Sequence, residues 1–196
     1  ENIRRFRLSD TFVEPYKSAT VPWGPLGYVT FKRTYARRLN EFDPEAVGTE
    51  EWWQTCRRVI EGIFDIQKRH AFMIGIEWND AKAQKTSKDA YDRLFNLKWT
   101  PPGRGLWMMG TKFIYERTGA GLFNCAFRST RDVANKGGYL FAWMMDALMV
   151  GIGVGFDTLG AKTFSVKEPQ WVDDSLVIAD SREGWVNSVH ILLDGF

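Results

Sequence analysis

Apolar residues recur at helical spacing through the first half of the chain. One such stripe predicts a helix that begins after a possible capping residue, Thr49. The apolar residues of this stripe are Trp52, Cys56, Val59, Ile60, Ile63 and Phe64. A second helix is predicted over about residues 80–97. Because Cys56 lies on the first stripe, we interpret it as a core residue rather than a reactive thiol. Prolines interrupt residues 1–48, which are predicted to be irregular apart from 28–35, a segment that fits either a strand or the start of a helix.

Short apolar segments separated by glycines replace this pattern in the second half of the chain. Residues 106–109 predict a short buried strand, and residues 122–127 form another short apolar stretch. A helical stripe over 139–148 ends at Gly151, and the glycine-rich run there is predicted to lead into a further buried segment. A capping-box spacing at 180–183 predicts a last helix. That helix has no stop signal, so the chain is expected to be truncated.

This order of elements predicts an α/β fold, in which a helical N-terminal region leads into the first part of an α/β barrel. We expect the mainly helical region over residues 1–98 and the incomplete barrel over residues 99–196. Spacing alone fits a barrel and another layered α/β arrangement, so both architectures stay open at this point.

Composition places the chain among globular proteins of the cytoplasm. Hydrophobic residues make up 44% and aromatic residues 15% of the 196 positions, which is enough for a substantial core. Two cysteines do not make a disulfide framework, and no Cys/His cluster predicts a metal site. No apolar run approaches the roughly 20 residues that cross a bilayer, and the first residues lack the apolar core of a signal peptide. We therefore expect a cytoplasmic protein without membrane contact.

The charge balance is close to neutral. A formal net charge of +2 argues against a general polyanion binder, so direct DNA binding is not expected. Basic residues are concentrated within residues 4–38, where aromatic side chains lie among them. That stretch could meet phosphates, but a solvated arm that packs through its aromatic residues is the favoured interpretation.

Three segments of the second half are candidates for chemistry, and each also has a structural explanation. Cys125 follows a glycine-rich turn, but a free cysteine without a nearby histidine is more often a buried small hydrophobe than a nucleophile. Asn124 beside it hints at an edge that faces a ligand. The loop 101–104 could bind an anion through Arg104 and backbone amides, or it could be a plain turn. The glycines of 151–156 follow a helix, so they fit close backbone packing better than a dinucleotide site.

A series of motifs follows one another along the chain in a specific order. They are Trp23-Gly-Pro-Leu-Gly27, Lys32-Arg-Thr-Tyr-Ala-Arg37, Thr100-Pro-Pro-Gly-Arg-Gly-Leu-Trp107, Arg117-Thr-Gly119, Asn124-Cys125, Gly153-Val-Gly-Phe156 and Arg182-Glu-Gly-Trp-Val186. This series resembles the N-terminal portion of the catalytic chain of adenosylcobalamin-dependent (class II) ribonucleoside-triphosphate reductases. The resemblance covers nearly the whole chain from Phe12, and several motifs in one order are far more specific than any single motif.

The resemblance implies that ribonucleoside triphosphates are reduced to 2′-deoxyribonucleotides by thiyl-radical chemistry, for DNA synthesis, with adenosylcobalamin as cofactor. Cys125 matches the first cysteine of the pair that becomes a disulfide in each cycle. Gly103, Arg104 and Asn124 would lie near the ribose or the phosphates of the substrate. Asp132, an ordinary loop acid on sequence evidence, would contact a deoxynucleotide effector. The implied fold is a ten-stranded α/β barrel, and the implied partners are a thioredoxin-like or dithiol reductant, with the enzyme a monomer or homodimer.

The chain also departs from the pattern of the family. Pro102 and Gly105 stand where the family commonly has a small hydroxyl residue and a larger polar one. The long insertion that monomeric members carry after the Gly-Val-Gly-Phe corner is absent, which leaves the effector site reduced or dependent on a dimer. The radical cysteine and the partner of Cys125 belong to later segments, so the chain alone is expected to be inactive.

Two other functions stay open. The chain could belong to the large subunit of a reductase with a different radical source, such as a di-iron centre in a separate small subunit. It could also be a non-enzymatic nucleotide-binding module that is complete at this length. The sequence that follows Phe196 and the dependence of activity on cobalamin distinguish the first alternative, and nucleotide binding by the stable 196-residue chain distinguishes the second.

Overall fold

The computed structural model describes residues 3–117, 119–169 and 175–196. These residues form two compact units, which divide between Leu122 and Phe123. Thr118, in the middle of the Arg117–Gly119 motif, lies outside the described residues. Across the described ranges, no helix combines the length and the apolar character needed to cross a membrane.

The N-terminal unit is built from helices. Its α-helices are α1 (Asp10–Val13), α2 (Pro25–Thr30), α3 (Trp52–Met73), α4 (Asp80–Phe95), α5 (Gly103–Met108) and α6 (Lys112–Glu116). Turns of 3-10 helix cover Glu14–Lys17, Leu39–Glu41 and Gly119–Leu122, and a π-helical turn, Phe31–Tyr35, continues α2. The segment 28–35, for which a strand and a helix were both possible, is therefore helical.

Helices α3 and α4 pack against each other and form the core of this unit, which confirms both predicted long helices. The buried side chains include Trp52, Cys56, Val59, Ile60 and Phe64 from α3 and Tyr91, Leu94 and Phe95 from α4. Phe6, Leu8 and Val13 join the same cluster, so the basic N-terminal stretch packs through its apolar side chains. This arrangement fits the predicted arm.

The start of α3 differs from the sequence prediction by two residues. Glu51, rather than Thr49, caps the helix: its side chain accepts a hydrogen bond from the backbone of Gln54, whose own side chain accepts the backbone N–H of Glu51. Glu50 precedes the cap and is buried, with 3% of its surface exposed. Of these two adjacent carboxylates, that of Glu51 caps the helix and that of Glu50 is buried.

The strand predicted at residues 106–109 is wrong, because this segment is the short helix α5 and the turn that follows it. The carbonyl oxygen of Pro102 accepts the backbone N–H groups of Gly105 (2.7 Å) and Leu106 (3.2 Å), which starts the helix at the residue after the proline. Leu106 and Met108 are buried. A short apolar run bounded by glycines fits a strand and a single helical turn equally, and here the proline decides for the helix.

The segment 99–122 belongs with the N-terminal helices. Helix α5 packs against α3, so the compact unit extends beyond the boundary at residues 98 and 99 that the sequence pattern predicts. The backbones of Gly62 and Gly110 approach each other closely: a Cβ added to Gly62 would lie 2.7 Å from the Cα of Gly110. Glycine at both positions lets the turn after α5 lie directly on α3.

The C-terminal unit combines helices with a small parallel sheet. It contains β1 (Cys125–Arg128), a 3-10 turn (Thr130–Asp132), α7 (Val133–Lys136), α8 (Tyr139–Met149), β2 (Gly153–Phe156) and α9 (Arg182–Asp194). The two strands pair in parallel, with Cys125 opposite Gly153 and Arg128 opposite Phe156. Helix α8 connects the strands and packs against both, which is the arrangement of a β-α-β crossover. The predicted helix over 139–148 is confirmed.

Two details of this unit correct the sequence prediction. The segment after Gly151 is not buried throughout: Ile152 is 3% exposed, but Gly153, Gly155 and Phe156 are exposed. The reason is that β2 has only β1 as a neighbour among the described strands. The cap of α9 is also shifted from the predicted box at 180–183, because the side chain of Ser181 accepts the backbone N–H of Gly184.

Candidate active site

The Asn124-Cys125 motif lies at the start of β1, beside the Gly-Val-Gly-Phe motif on β2. The backbone carbonyl oxygen of Asn124 accepts the N–H of Gly153 at 2.9 Å, and Cys125 pairs with the same glycine. A Cβ on Gly153 would meet nothing closer than this carbonyl oxygen, at 3.7 Å. Two motifs that are separated in sequence are thus adjacent in the C-terminal unit.

The thiol of Cys125 is free and exposed, so the burial expected from residue type alone is wrong. Side chains alternate along β1: Cys125 and Phe127 are exposed, whereas Ala126 and Arg128 are half-buried. The covered face carries Arg128, whose guanidinium lies 5.3 Å from the centre of the Trp143 ring on α8. Cys125 therefore lies on the sheet face opposite α8, where a ligand or another part of the protein can reach it.

Cys56 has the opposite environment. Its side chain is completely buried in the core of the N-terminal unit. Burial, reinforced by the nearby carboxylate of Glu50, raises the pKa of the Cys56 thiol well above its ordinary value. Because the thiolate is the nucleophilic form of cysteine, Cys56 is inert under ordinary conditions. The prediction that it is a core residue is confirmed.

Asp132 ends the 3-10 turn that follows β1, and two cations flank its carboxylate. Its Oδ2 atom lies 3.7 Å from Nη2 of Arg128 and 3.6 Å from Nζ of Lys136. The side chain is 44% exposed, so these contacts are loose and solvent-screened. The carboxylate is accessible, as an effector contact would require, and its role as such a contact stays a prediction.

Asp157 stabilises the loop beside Asp132 and is a residue that sequence reasoning missed. One oxygen of its carboxylate accepts the backbone N–H and the hydroxyl of Thr130, each at 2.9 Å, and the N–H of Leu159 at 3.1 Å. Desolvation favours the protonated acid, but these hydrogen bonds, together with one from Ser129, outweigh it and lower the pKa of Asp157 to about 2. The only signal in the sequence is that Asp157 directly follows the Gly-Val-Gly-Phe motif.

Gly103 and Arg104 open helix α5 in the N-terminal unit. A Cβ on Gly103 would lie 2.9 Å from the hydroxyl oxygen of Tyr35, so this backbone approaches the tyrosine ring closely. Nη1 of Arg104 lies 3.4 Å from the carbonyl oxygen of Gly121. The guanidinium of Arg37 lies over the ring of Trp107, the fifth residue of this helix, 5.3 Å from the ring centre. The motifs Lys32–Arg37 and Thr100–Trp107 are therefore neighbours in space.

A buried ion pair, also missed by sequence reasoning, lies beneath this helix. Arg58 on α3 binds Glu50 with two charge-assisted hydrogen bonds, from Nε at 2.7 Å and from Nη2 at 2.8 Å. Both side chains are less than a tenth exposed. The same guanidinium donates to the backbone carbonyl oxygens of Leu106 (2.9 Å) and Met109 (2.5 Å). No motif contains either residue, and the spacing of apolar residues along the chain does not indicate that these two charged side chains are buried.

The structure thus groups the predicted site residues into two sets. Gly103 and Arg104 belong to the N-terminal unit, and Asn124, Cys125 and Asp132 belong to the C-terminal unit. A common substrate pocket formed by both sets stays a prediction. Within the described ranges, no group of three or more His, Cys, Asp or Glu side chains is arranged to hold a metal ion.

Comparison with known proteins identifies the family. The model of the ribonucleotide reductase alpha domain matches residues 8–111, which is more than half of the chain. The chain belongs to this ribonucleotide reductase family. The match includes α3, α4 and α5, so the buried ion pair and the Gly103-Arg104 segment both lie within it.

Individual ribonucleotide reductases are similar over nearly the whole chain. A probable adenosylcobalamin-dependent ribonucleoside-triphosphate reductase of Dictyostelium discoideum is 37% identical, and the match covers 100% of this chain and 28% of that protein. The adenosylcobalamin-dependent ribonucleoside-triphosphate reductases of Euglena gracilis and Lactobacillus leichmannii are 38% and 32% identical, over 96% and 94% of this chain and 26% of each relative. The chain therefore spans about a quarter of the length of the curated relatives it matches.

A solved structure supports the same relationship at the level of the fold. The chain resembles the crystal structure of a B12-dependent (class II) ribonucleotide reductase with a TM-score of 0.73 and 28% sequence identity. The likeness covers 97% of this chain and 33% of that one. Because the family-model match ends at residue 111, this likeness also covers residues of the C-terminal unit.

Proposed function

We propose that the chain is the N-terminal portion of an adenosylcobalamin-dependent ribonucleoside-triphosphate reductase, which makes 2′-deoxyribonucleotides for DNA synthesis. The observation that carries this proposal is the accessible thiol of Cys125, at the start of a strand paired with Gly153, in a chain 37% identical to a reductase of this class. A buried thiol without access to a ligand would have spoken against it.

In this proposal Cys125 is one cysteine of the reducing pair. Reduction replaces the 2′-hydroxyl of the ribose by hydrogen, and the hydroxyl leaves as water. The two thiols supply the two electrons and two hydrogens for this exchange, and they end as a disulfide, which a thioredoxin-like or dithiol reductant returns to thiols. Cys56 is unsuited to be the partner because it is completely buried. The family resemblance places the partner and the cysteine that carries the radical in later segments of the protein.

Gly103, Arg104 and Asn124 are proposed to contact the substrate. The guanidinium of Arg104 suits phosphate oxygens, and Gly103 precedes it in the first turn of α5, where the absence of a side chain lets the backbone lie against the ring of Tyr35. Asn124 is exposed next to Cys125 and offers amide donor and acceptor groups to ribose hydroxyls. Asp132 is proposed to contact the deoxynucleotide effector, in a protein that acts as a monomer or homodimer in the cytoplasm.

Adenosylcobalamin, when bound, would supply the radical that starts the reaction. Neither unit presents a described feature that we assign to this cofactor. The ten-stranded barrel that the family resemblance implies would extend the parallel pair β1 and β2 with strands from the rest of the protein.

The test is an assay of the full-length protein with a ribonucleoside triphosphate, adenosylcobalamin and a dithiol. We expect deoxynucleotide formation that requires the cofactor, and its loss over multiple turnovers in Cys125→Ser, because a serine cannot close the disulfide. Cys56→Ala is the matched control, since it removes the other cysteine of this chain and should keep turnover. Sustained turnover by Cys125→Ser would remove this residue from the mechanism, and activity without cobalamin would favour a different radical source.

A further inference from the structure

Helix α5 carries Gly103 and Arg104 at its first turn and is too short to stabilise itself. An isolated helix of this length is unfavourable in water, so its position depends on contacts with the rest of the unit. The last carbonyl groups of any helix also lack partners within the helix. What satisfies those carbonyls therefore decides where the substrate segment at the other end of α5 lies.

The guanidinium of Arg58 fills this role. It donates to the carbonyl oxygens of Leu106 and Met109, at the C-terminal end of α5, from a position on α3. A cation at a helix C-terminus is also favoured by the helix dipole. Gly110, which directly follows Met109, has a φ of +77°, and a Cβ there would lie 2.4 Å from the carbonyl oxygen of Arg58. The end of α5 is thus hydrogen-bonded to the side chain of Arg58, and the turn after it lies against the backbone of the same residue.

Glu50 fixes the direction of that guanidinium and links it to the motif Lys32–Arg37. Besides the two bonds from Arg58, its Oε2 atom accepts the hydroxyl of Thr55 at 2.7 Å and the backbone N–H of Arg37 at 3.1 Å. Arg37 in turn covers the ring of Trp107 on α5. The carboxylate therefore joins α3, α5 and the segment that contains Tyr35, the neighbour of Gly103.

We infer that Arg58 and Glu50 are positioning residues for the substrate site, which act through α5 on Gly103 and Arg104 without touching the nucleotide. The inference rests on the proposed function. A buried bidentate pair with a fixed geometry is suited to this task, and lysine is a poor substitute because it offers a single point charge in place of the planar fork.

The experiment compares Arg58→Lys with Arg69→Lys in the full-length protein. Arg69 lies on the same helix and also pairs with a buried carboxylate, Asp65 at 3.0 Å, which anchors the backbone of Phe6 rather than α5. Both variants keep the positive charge and replace a planar guanidinium by an ammonium group. We expect Arg58→Lys to raise KM and the Kd for the nucleoside triphosphate about tenfold with a smaller change in kcat, and Arg69→Lys to leave both near wild type.

Melting temperatures separate this role from a merely structural one. If Arg58 acted only on stability, as we expect of Arg69, then Arg58→Lys and Arg69→Lys would both lower Tm and neither would raise KM. Equal KM values for Arg58→Lys, Arg69→Lys and wild type, measured where all three are folded, would overturn the inference while leaving the proposed function intact. If Arg58→Lys does not fold, Glu50→Gln is measured in its place, with the same expected rise in KM. A wild-type protein that neither binds nor reduces triphosphates would overturn both.

Discussion

Gly62 and Gly110 bring two backbones into direct contact. A Cβ on Gly62 would lie 2.7 Å from both the Cα and the nitrogen of Gly110, closer than real side chains approach a backbone. Gly62 sits in the middle of α3, four residues after Arg58, and Gly110 follows the end of α5. This contact and the guanidinium of Arg58 hold the same turn, so steric fit and hydrogen bonding act together at one point.

The first prediction concerns Gly62→Ala. In an unstrained helix interior this change stabilises a protein by about 0.5–1 kcal/mol, because alanine loses less entropy on folding. Here the added methyl group meets backbone atoms that cannot move aside without shifting α5. We expect the free energy of unfolding of the protein to fall by about 1–3 kcal/mol, measured by urea denaturation.

Gly119→Ala is the control for this prediction. Gly119 has no atom within 4 Å of an added Cβ, so the same substitution should leave the urea midpoint unchanged or slightly raised. A stabilised Gly62→Ala protein would show that α3 and the turn at Gly110 are farther apart than the structure indicates.

The sequence predicts the long elements of the fold because they carry regular patterns. The stripe from Trp52 to Phe64 recurs with the period of a helix, and tertiary packing agrees with it. Helix α5 was missed because an apolar run of that length contains a single turn, too short for a period to show. Its helical state depends on Pro102 and on carbonyl partners that come from Arg58, which lies far away in sequence.

The candidate site could be predicted only through the family resemblance. By residue type alone, Cys125 was expected to be buried, but its exposure depends on the number of strands around β1 and on which face α8 covers. Neither property can be predicted from the sequence around Cys125. The roles of Glu50 and Arg58 were missed for a related reason: charged residues are usually at the surface, and burial of a pair is a property of the assembled unit.

The second prediction concerns thiol reactivity. In the native full-length protein, we expect an alkylating reagent such as iodoacetamide to modify Cys125 and leave Cys56 intact, because one thiol is exposed and the other is buried with a raised pKa. Peptide mass spectrometry after a short exposure measures this directly. Both thiols should react in denaturant. Rapid native labelling of Cys56 would contradict the packing of α3 against α4.

The third prediction tests the contact between Gly103 and Tyr35. In Gly103→Ala the new methyl group would meet the hydroxyl oxygen of Tyr35 at 2.9 Å and its Cε1 atom at 3.1 Å, so the ring or the start of α5 must move. We expect a several-fold higher KM for the nucleotide in the full-length protein. Tyr35→Phe removes the nearest atom and should restore part of the loss when the two changes are combined.

The double-mutant cycle over these changes gives the coupling between the two residues. We expect a favourable coupling of about 0.5–1 kcal/mol in kcat/KM, typical of side chains in direct contact. Strictly additive effects would mean that the two positions act independently, and that the glycine is required for a reason other than space.

The fourth prediction concerns pH and the carboxylate of Asp157. Its pKa in the folded protein is lowered from 3.8 to about 2. The ionised carboxylate therefore stabilises the fold at pH values above the pKa that this group has in the unfolded chain. This contribution is fully present above about pH 4 and is lost as the pH falls through about 2, because the unfolded chain then binds the proton more readily. Asp157→Asn should therefore have a lower urea midpoint than wild type at neutral pH, and the difference should narrow between about pH 4 and about pH 2.

Taking the difference between two proteins at each pH removes the acid sensitivity of the other carboxylates, which both share. Thr130→Val is the matched variant, because it deletes the hydroxyl that donates to Asp157 but keeps the backbone N–H, which donates at the same distance of 2.9 Å. It should show a narrowing of the same sign and smaller size. A constant difference between wild type and Asp157→Asn from neutral to acid pH would mean that the carboxylate contributes through shape alone, and not through the charge that the hydrogen bonds from Thr130 and Leu159 stabilise.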